Sequence, residues 1–148
     1  MIKLSTKARY ATRFLLELAL NKNKSSLLLK DIADRQEISA GYLEQIVPLL
    51  KSSGLIIANR GPKGGYSLFK KPQDITLKSI IEAVEGPVKI VECINKSESC
   101  SRIENCAVSK LWDEINIEIK KLLESKTLAY LIEKYESTLT ESSLNYII

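Results

Sequence analysis

The 148-residue sequence contains no histidine, and this absence narrows the classes of protein that it can encode. Histidine is the commonest general base at neutral pH, and no glycine-rich phosphate-binding loop is present either, so we do not expect an enzyme. No apolar run approaches the ~20 residues that a membrane-spanning helix needs. The N-terminus, MIKLSTKARY, lacks the apolar stretch and cleavage site of a signal peptide. We therefore expect a cytoplasmic protein that does not associate with membranes.

Cysteine is scarce, and all three cysteines lie in one segment, CINKSESCSRIENC, which spans residues 93–106 and contains no glycine. An odd number of cysteines fits disulfide pairing poorly, and disulfides are rare in the cytoplasm. We therefore predict that Cys93, Cys100 and Cys106 are free thiols or metal ligands.

Charge is distributed unevenly along the chain. Residues 1–71 carry 13 Lys and Arg against 5 Asp and Glu, whereas residues 72–148 carry 9 against 13. A basic first half favours contact with a polyanion such as nucleic acid. The alternative is a solvated surface on which the charges segregate without a partner.

The first half of the chain has the pattern of a winged helix-turn-helix. Helices are expected within residues 5–20, 28–38 and 39–54, and two strands, 55–60 and 65–70, flank the turn sequence GPKG. Ser5 and Ser39 are placed to cap the first and third helices. Pro48 lies inside the third helix, where it should kink the helix or cost about 3 kcal/mol, so only the first two turns are expected to recognise DNA. The domain is predicted to span residues 1–72.

In this plan the third helix enters the major groove with its N-terminal residues, and the hairpin contacts the minor groove. The candidate residues on the helix are Ser39, Gly41, Tyr42, Glu44 and Gln45. Those at the hairpin tip are Arg60 and Lys63.

The second half is predicted to contain a connecting helix with the cysteine loop (residues 73–105), a long helix with a following helix (106–135) and a polar C-terminal tail (136–148). The connecting helix is expected to be capped by Thr76 and to stop at Gly86. An apolar stripe runs along the long helix through Val108, Leu111, Trp112, Ile115, Ile119 and Leu122. We favour packing of this stripe on a second subunit over packing on its own domain. The fold class is therefore mainly α with a small β-hairpin wing and a long dimerisation helix.

Five stretches of the sequence resemble one family. They are KLSTKARYA at 3–11, ISAGYLEQI at 38–46, SGLI at 53–56, RGPKGGY at 60–66 and IIEAVEGP at 80–87. The family is that of dimeric winged-helix repressors, which includes the iron–sulfur regulator IscR, the nitric-oxide sensor NsrR and the cysteine-metabolism regulator CymR. The resemblance covers nearly the whole chain and implies a homodimer bound to double-stranded DNA at an imperfect palindrome.

The resemblance also implies roles for individual residues. It assigns Tyr42, Glu44 and Gln45 to the major groove, Arg60 and Gly61 to the minor groove, and Tyr10 to a phosphate. By the same likeness, the helix that contains Leu111, Trp112, Ile115 and Ile119 crosses its mate in the dimer.

Cluster-binding relatives carry a cysteine triad spaced like Cys93, Cys100 and Cys106, although this loop has one extra residue between the first two. The implied cofactor is an iron–sulfur cluster, expected to be 2Fe–2S with 4Fe–4S as the alternative. Zinc and uncoordinated redox-active thiols are the other interpretations.

The fourth ligand is left open by the sequence. Ser109 stands where IscR-like relatives have histidine, and Arg9 stands where NsrR-like relatives have aspartate. Nearby oxygen donors are Glu98, Glu104 and Asp113.

The chain ends in Tyr146, Ile147 and Ile148 after a polar stretch. A frayed terminus is the simpler interpretation. CymR-like relatives have a similar ending, and the partner in that branch is cysteine synthase, so the resemblance implies that the Ile148 carboxylate could dock in that enzyme.

Overall fold

The computed structural model describes residues 3–21, 26–93, 100 and 102–145. Within these residues the chain forms six α-helices and one β-hairpin. The helices are α1 (Thr6–Leu20), α2 (Leu29–Gln36), α3 (Ala40–Ser52), α4 (Leu77–Glu85), α5 (Ala107–Ser125) and α6 (Leu128–Asn145). The hairpin consists of β1 (Ile56–Asn59) and β2 (Gly65–Leu68), which pair antiparallel from Ile56 opposite Leu68 to Asn59 opposite Gly65. The predicted winged helix-turn-helix order is confirmed.

Local capping explains where the N-terminal helices begin. Ser5 Oγ accepts the Ala8 N–H at 3.0 Å, and Ser39 Oγ accepts the Tyr42 N–H at 3.2 Å. Each hydroxyl satisfies one of the N–H groups that have no partner within the first turn of a helix. Both predicted caps are confirmed, so the start of α3 is fixed by its own sequence.

The core lies where α1, α2 and α3 meet the base of the hairpin and α4. Its largest fully buried side chains are Phe14, Leu15, Leu27, Ile32, Leu43, Ile46, Leu50, Leu55, Ile56, Ile75, Ile80 and Leu128. Leu43, Ile46 and Leu50 of α3 recur three or four residues apart, as the inner face of an amphipathic helix requires. The contribution of Leu128, from α6, shows that the C-terminal half packs onto this same core.

The wing is held against the helices by a third stretch of extended chain. Leu27, between α1 and α2, pairs with Tyr66 of β2 through two backbone hydrogen bonds, Leu27 N to Tyr66 O at 2.9 Å and Tyr66 N to Leu27 O at 2.7 Å. The Tyr66 ring lies edge-on to Phe14 at 6.1 Å between centroids. The hairpin is therefore fixed in position relative to the recognition helix.

The connecting helix α4 begins with a reciprocal capping box. Thr76 Oγ1 accepts the Ser79 N–H, and Ser79 Oγ accepts the Thr76 N–H, both at 3.1 Å. Gly86 ends the helix with φ +83°. The predicted cap and stop are confirmed, and α4 packs between α1 and α5.

The C-terminal helices confirm one expectation and correct another. The long helix α5 lies within the predicted range 106–135, but α6 continues to Asn145, through residues that we expected to form a polar tail. The start of α6 is tied to the start of α4, because Leu77 N donates to Lys126 O at 2.7 Å and Leu128 N donates to Ile75 O at 2.8 Å.

None of the helices in the described part of the chain combines the length and the apolar composition that a bilayer crossing requires.

Candidate nucleic-acid interface and cysteine loop

The two sides of α3 differ in a way that suits a recognition helix. Leu43, Ile46, Val47 and Leu50 are buried in the core. The predicted DNA-reading residues Ser39, Gly41, Glu44 and Gln45 are exposed, and Tyr42 is half-buried. An exposed amide, carboxylate and hydroxyl within two helical turns can reach the donors and acceptors at base edges. Contact with DNA by these residues stays a prediction.

Tyr42 and Tyr10 lie side by side and join α3 to α1. Their ring centroids are 5.3 Å apart in an edge-on arrangement, and the guanidinium of Arg13 lies 5.5 Å from the centroid of the Tyr10 ring. This group presents two phenols and a cation next to the exposed turns of α3. Tyrosine hydroxyls and arginine are common phosphate contacts, which suits the role that we expected for Tyr10.

A polar network that sequence reasoning missed fixes the turn of the helix-turn-helix. Arg13 Nε donates to Gln36 Oε1 at 2.9 Å, and Gln36 Nε2 donates to Glu17 Oε2 at 2.8 Å. Glu17 also pairs with Arg35 at 2.9 Å, and this hydrogen bond raises the pKa of Arg35 above its ordinary value. Just after it, Glu37 takes a left-handed conformation with φ +53°. Nothing in the local sequence signals this network, because its members come from two helices.

The wing tip presents the predicted basic residues to solvent. Arg60, Gly61 and Lys63 are all exposed. The turn is held by the Gly64 N–H, which donates to Gly61 O at 2.8 Å, and by Ser26 Oγ, which donates to Lys63 O at 2.5 Å. Gly61 has φ +101°, a conformation that suits glycine. The backbone is therefore ordered while both cationic side chains remain available to a phosphate or a groove.

The three cysteines are all free of disulfides, with Cys93 and Cys106 half-buried and Cys100 exposed. Among the residues that the structure describes, no three Cys, Asp or Glu side chains converge closely enough to hold a metal ion. The residues between the cysteines, 94–99 and 101, lie outside that part of the chain. Three accessible thiols have the donor chemistry that an iron–sulfur cluster or zinc requires, so the residue types fit either group.

Cys106 has a further role, because it caps α5. Its Sγ accepts the N–H of Ser109 at 3.4 Å, so the residue at the position of the IscR-like histidine contacts this thiol through its backbone. Of the oxygen donors considered as a fourth ligand, Glu104 and Asp113 are exposed, and Glu98 lies outside the described residues. The fourth ligand remains open.

The apolar stripe of α5 divides into two parts. Ile115 and Ile119 are half-buried against the chain's own domain, whereas Val108, Leu111, Trp112 and Leu122 are 37–59% exposed. We call these four residues the open face of α5. This exposure is compatible with the expected packing of the stripe on a second subunit, which stays a prediction.

Tyr146, Ile147 and Ile148, predicted to bind a partner, lie outside the described residues. Their docking stays a prediction.

Comparisons with known proteins identify the family. A family model described as "Rrf2: Iron-dependent Transcriptional regulator" matches residues 4–134. The chain is 36% identical to protein rrf2 of Nitratidesulfovibrio vulgaris over 131 residues, which is 88% of this chain and 87% of that protein. It is 37% identical to the transcriptional regulator IscR of Erwinia tasmaniensis over 135 residues, 91% of this chain and 81% of that one.

Solved structures agree with these relatives. The structure of CymR, the global cysteine regulator of B. subtilis, matches with a TM-score of 0.74 and 36% identity over 90% of this chain and 98% of that one. IscR of T. potens matches with a TM-score of 0.76 and 31% identity over 93% of this chain and 90% of that one. The predicted resemblance is confirmed, as is the expectation that the chain is not an enzyme. The chain belongs to the Rrf2 family of transcriptional regulators.

Proposed function

We propose that this protein is a repressor that binds an imperfect palindrome in double-stranded DNA as a homodimer. The observation that carries the proposal is the exposed N-terminal half of α3, next to a wing whose arginine and lysine are also exposed. Regulators of the Rrf2 family bind DNA. Two copies related by a twofold axis would meet two half-sites, which explains the palindrome. A regulator that binds chromosomal DNA must be in the same compartment as the chromosome, so we propose a cytoplasmic location.

The wing provides the sharpest test of DNA binding. Arg60→Ala should weaken binding to a selected operator by about tenfold and reduce the slope of affinity against salt by about one, because one cation leaves the interface. Lys110→Ala removes a positive charge from an exposed residue of α5 and should change neither quantity. Fluorescence anisotropy with the operator and a random duplex measures both. Equal affinity of the unaltered protein for the two duplexes would contradict sequence-specific repression.

We also propose that the cysteine loop senses iron–sulfur or redox status. The support is the donor set, Cys93, Cys100 and Cys106, together with the similarity to regulators named IscR and to a family described as iron-dependent. A cluster bound there, 2Fe–2S or 4Fe–4S, would supply a centre sensitive to oxidation. Because Cys106 also caps α5, the state of the loop would bear on the helix that we propose joins the dimer, and thereby on the spacing of the two recognition helices.

Metal analysis tests this sensor. Protein purified and reconstituted without oxygen should contain iron and sulfide in stoichiometric amounts and absorb visible light. Changing any one of the three cysteines to alanine should abolish the iron content or make it far more labile. Stoichiometric zinc would select the zinc alternative, and protein without metal that still represses would select free thiols.

A second candidate function rests on the match to CymR. In this candidate function the protein binds no cluster and regulates cysteine metabolism. Cysteine synthase would control it by binding the C-terminal carboxylate of Ile148. The supporting observation is that the match covers 98% of the CymR chain. Calorimetric titration of cysteine synthase with the full chain, and with a chain that lacks residues 146–148, decides it. Binding by the full chain alone supports docking, whereas equal heats, or no heat from either, remove this candidate.

A further inference from the structure

One polar side chain is buried on the inner side of α5. Asn116 is 1% exposed and is the only buried polar residue in the described part of the chain. Its Oδ1 accepts the backbone N–H of Ile90 at 3.2 Å. Burial of an amide is unfavourable unless its polar atoms are hydrogen-bonded, so this contact accounts for an asparagine where an apolar residue would otherwise be favoured.

The partner of Asn116 belongs to the segment that leads into the cysteine loop. After Gly86 ends α4, two backbone N–H groups of this segment donate to side chains: Val88 to Glu82 Oε1 at 3.4 Å and Ile90 to Asn116 Oδ1 at 3.2 Å. Cys93 follows Ile90 by three residues, a reach of at most ~10 Å along the chain. The Asn116 contact therefore holds the backbone three residues before the first cysteine.

The other end of the loop is attached to the same helix. Cys106 caps α5 through the Ser109 N–H, and Asn116 lies ten residues further along, at a distance of about 15 Å on a straight helix. Both ends of the cysteine loop are thus held on one helix, at Cys106 by the thiol itself and near Cys93 by the Asn116 amide. The open face of α5 is close to the Asn116 contact, because Trp112 and Asn116 are four residues apart and are therefore neighbours on the helix surface.

We propose that Asn116 is a positioning residue that fixes Cys93 relative to α5, so that a change in the state of the cysteines is transmitted to this helix. The transmission to DNA binding rests on the proposed function; the positioning of Cys93 does not. The inner side of α5 otherwise carries apolar Ile119 and Leu123, and a leucine at 116 would have the same branched shape and the same number of side-chain heavy atoms. The amide adds a directional contact that packing alone would not need.

Thiol reactivity in the full, metal-free chain tests the positioning. Asn116→Leu keeps the branched shape of the side chain and removes the acceptor, whereas Asn116→Asp keeps an acceptor for the Ile90 N–H. Alkylation rates of each cysteine are read by mass spectrometry after quenching with an isotopically labelled reagent. Asn116→Leu should raise the rate at Cys93 by up to about tenfold, the opening expected on loss of one hydrogen bond, and should leave Cys100 and Cys106 unchanged. Asn116→Asp, which keeps the acceptor, should raise the Cys93 rate less than Asn116→Leu does.

A destabilised control separates positioning from general loosening. Leu123→Ala removes packing from the same side of α5 but leaves the hydrogen bond to Ile90 in place, and melting temperatures identify conditions of equal stability. An unchanged Cys93 rate in Asn116→Leu overturns the proposal, and so does an equal rise at all three cysteines. It is likewise overturned if Leu123→Ala raises the Cys93 rate as much at matched stability.

The second measurement concerns transmission. The ratio of operator affinities between cluster-loaded and metal-free protein, or between oxidised and reduced protein if no cluster forms, should shrink towards one in Asn116→Leu. The affinity of the metal-free form should stay unchanged. If this ratio of affinities is as large in Asn116→Leu as in the unaltered protein, the proposed transmission from the cysteines to α5 is wrong. If the unaltered protein binds no operator, the proposed function fails, while the alkylation rates still decide whether Asn116 positions Cys93.

Discussion

Gly65 decides how the wing joins the helices. It has φ +133°, and a Cβ atom there would lie 2.3 Å from Leu27 O and 2.5 Å from Leu27 C. These backbone atoms belong to the residue that pairs with Tyr66, so they cannot move without loss of that pairing. Only glycine combines this conformation with so close an approach. A GG pair in the sequence indicates a turn, but which of the two glycines meets another chain segment depends on the folded structure.

We predict that Gly65→Ala destabilises the protein by about 1–3 kcal/mol, the usual cost of a strained backbone position, and weakens operator binding. Gly41→Ala is the matched control, because nothing lies within 4 Å of the added Cβ and its φ is not in the left-handed region. It should stabilise α3 by about 0.5–1 kcal/mol through helix propensity. Urea denaturation measures both. Equal stability of the two variants would contradict the close approach of Leu27 and Gly65.

Residues whose roles are local could be predicted from the sequence, and those whose roles depend on distant contacts could not. Ser5, Ser39 and Thr76 are recognisable as caps because each satisfies an N–H three residues away. Asn116 is not recognisable, because its partner is 26 residues earlier and the surrounding INI sequence resembles an ordinary amphipathic turn.

Among the elements, α6 shows why composition misled the prediction of a polar tail. Residues 136–143 are rich in Ser and Thr, which are poor helix formers because their hydroxyls compete for backbone groups. In the structure these hydroxyls bond within the helix instead: Thr138 Oγ1 donates to Lys134 O and Ser142 Oγ to Thr138 O, both at 2.9 Å. Such bonds to the carbonyl four residues earlier are compatible with an exposed helix.

The recognition helix α3 continues through Pro48 to Ser52. Proline has no N–H to donate to the carbonyl of Glu44, the residue expected to read DNA, so that carbonyl lacks its usual helical partner. The helix is retained because Ile46, Val47 and Leu50, on both sides of the proline, are buried in the core. Tertiary packing therefore offsets the cost of a proline inside the helix, a cost that is evident from the sequence alone.

We predict that Pro48→Ala stabilises the protein by about 1–3 kcal/mol, because it restores the backbone donor at an exposed site. Lys51→Ala, at an exposed position near the end of the same helix, should change stability by less than about 0.5 kcal/mol. Denaturation in urea gives the comparison. A loss of stability in Pro48→Ala would show that the fixed φ of proline outweighs the missing hydrogen bond.

At the scale of the whole molecule, the question is what covers the open face of α5. Leu111 and Leu122 are 51% and 59% exposed, and Trp112, between them along the helix, is 37% exposed. Several exposed apolar side chains along one helix are typical of protein–protein interfaces. The rest of the molecule is anchored behind this face through α4 and the start of α6, so a second copy can approach without rearrangement of the core.

We predict that Leu111→Asp converts the proposed homodimer into a folded monomer, because a carboxylate would have to be buried at the interface without a partner. Ile117→Asp is the matched control: Ile117 is 43% exposed on the same helix but points away from the open face, so the dimer should persist. Light scattering after size exclusion gives the mass of each variant. Operator affinity should fall steeply for Leu111→Asp alone, since one subunit reaches only one half-site. A dimeric Leu111→Asp protein with intact operator binding would show that the two subunits meet through another surface.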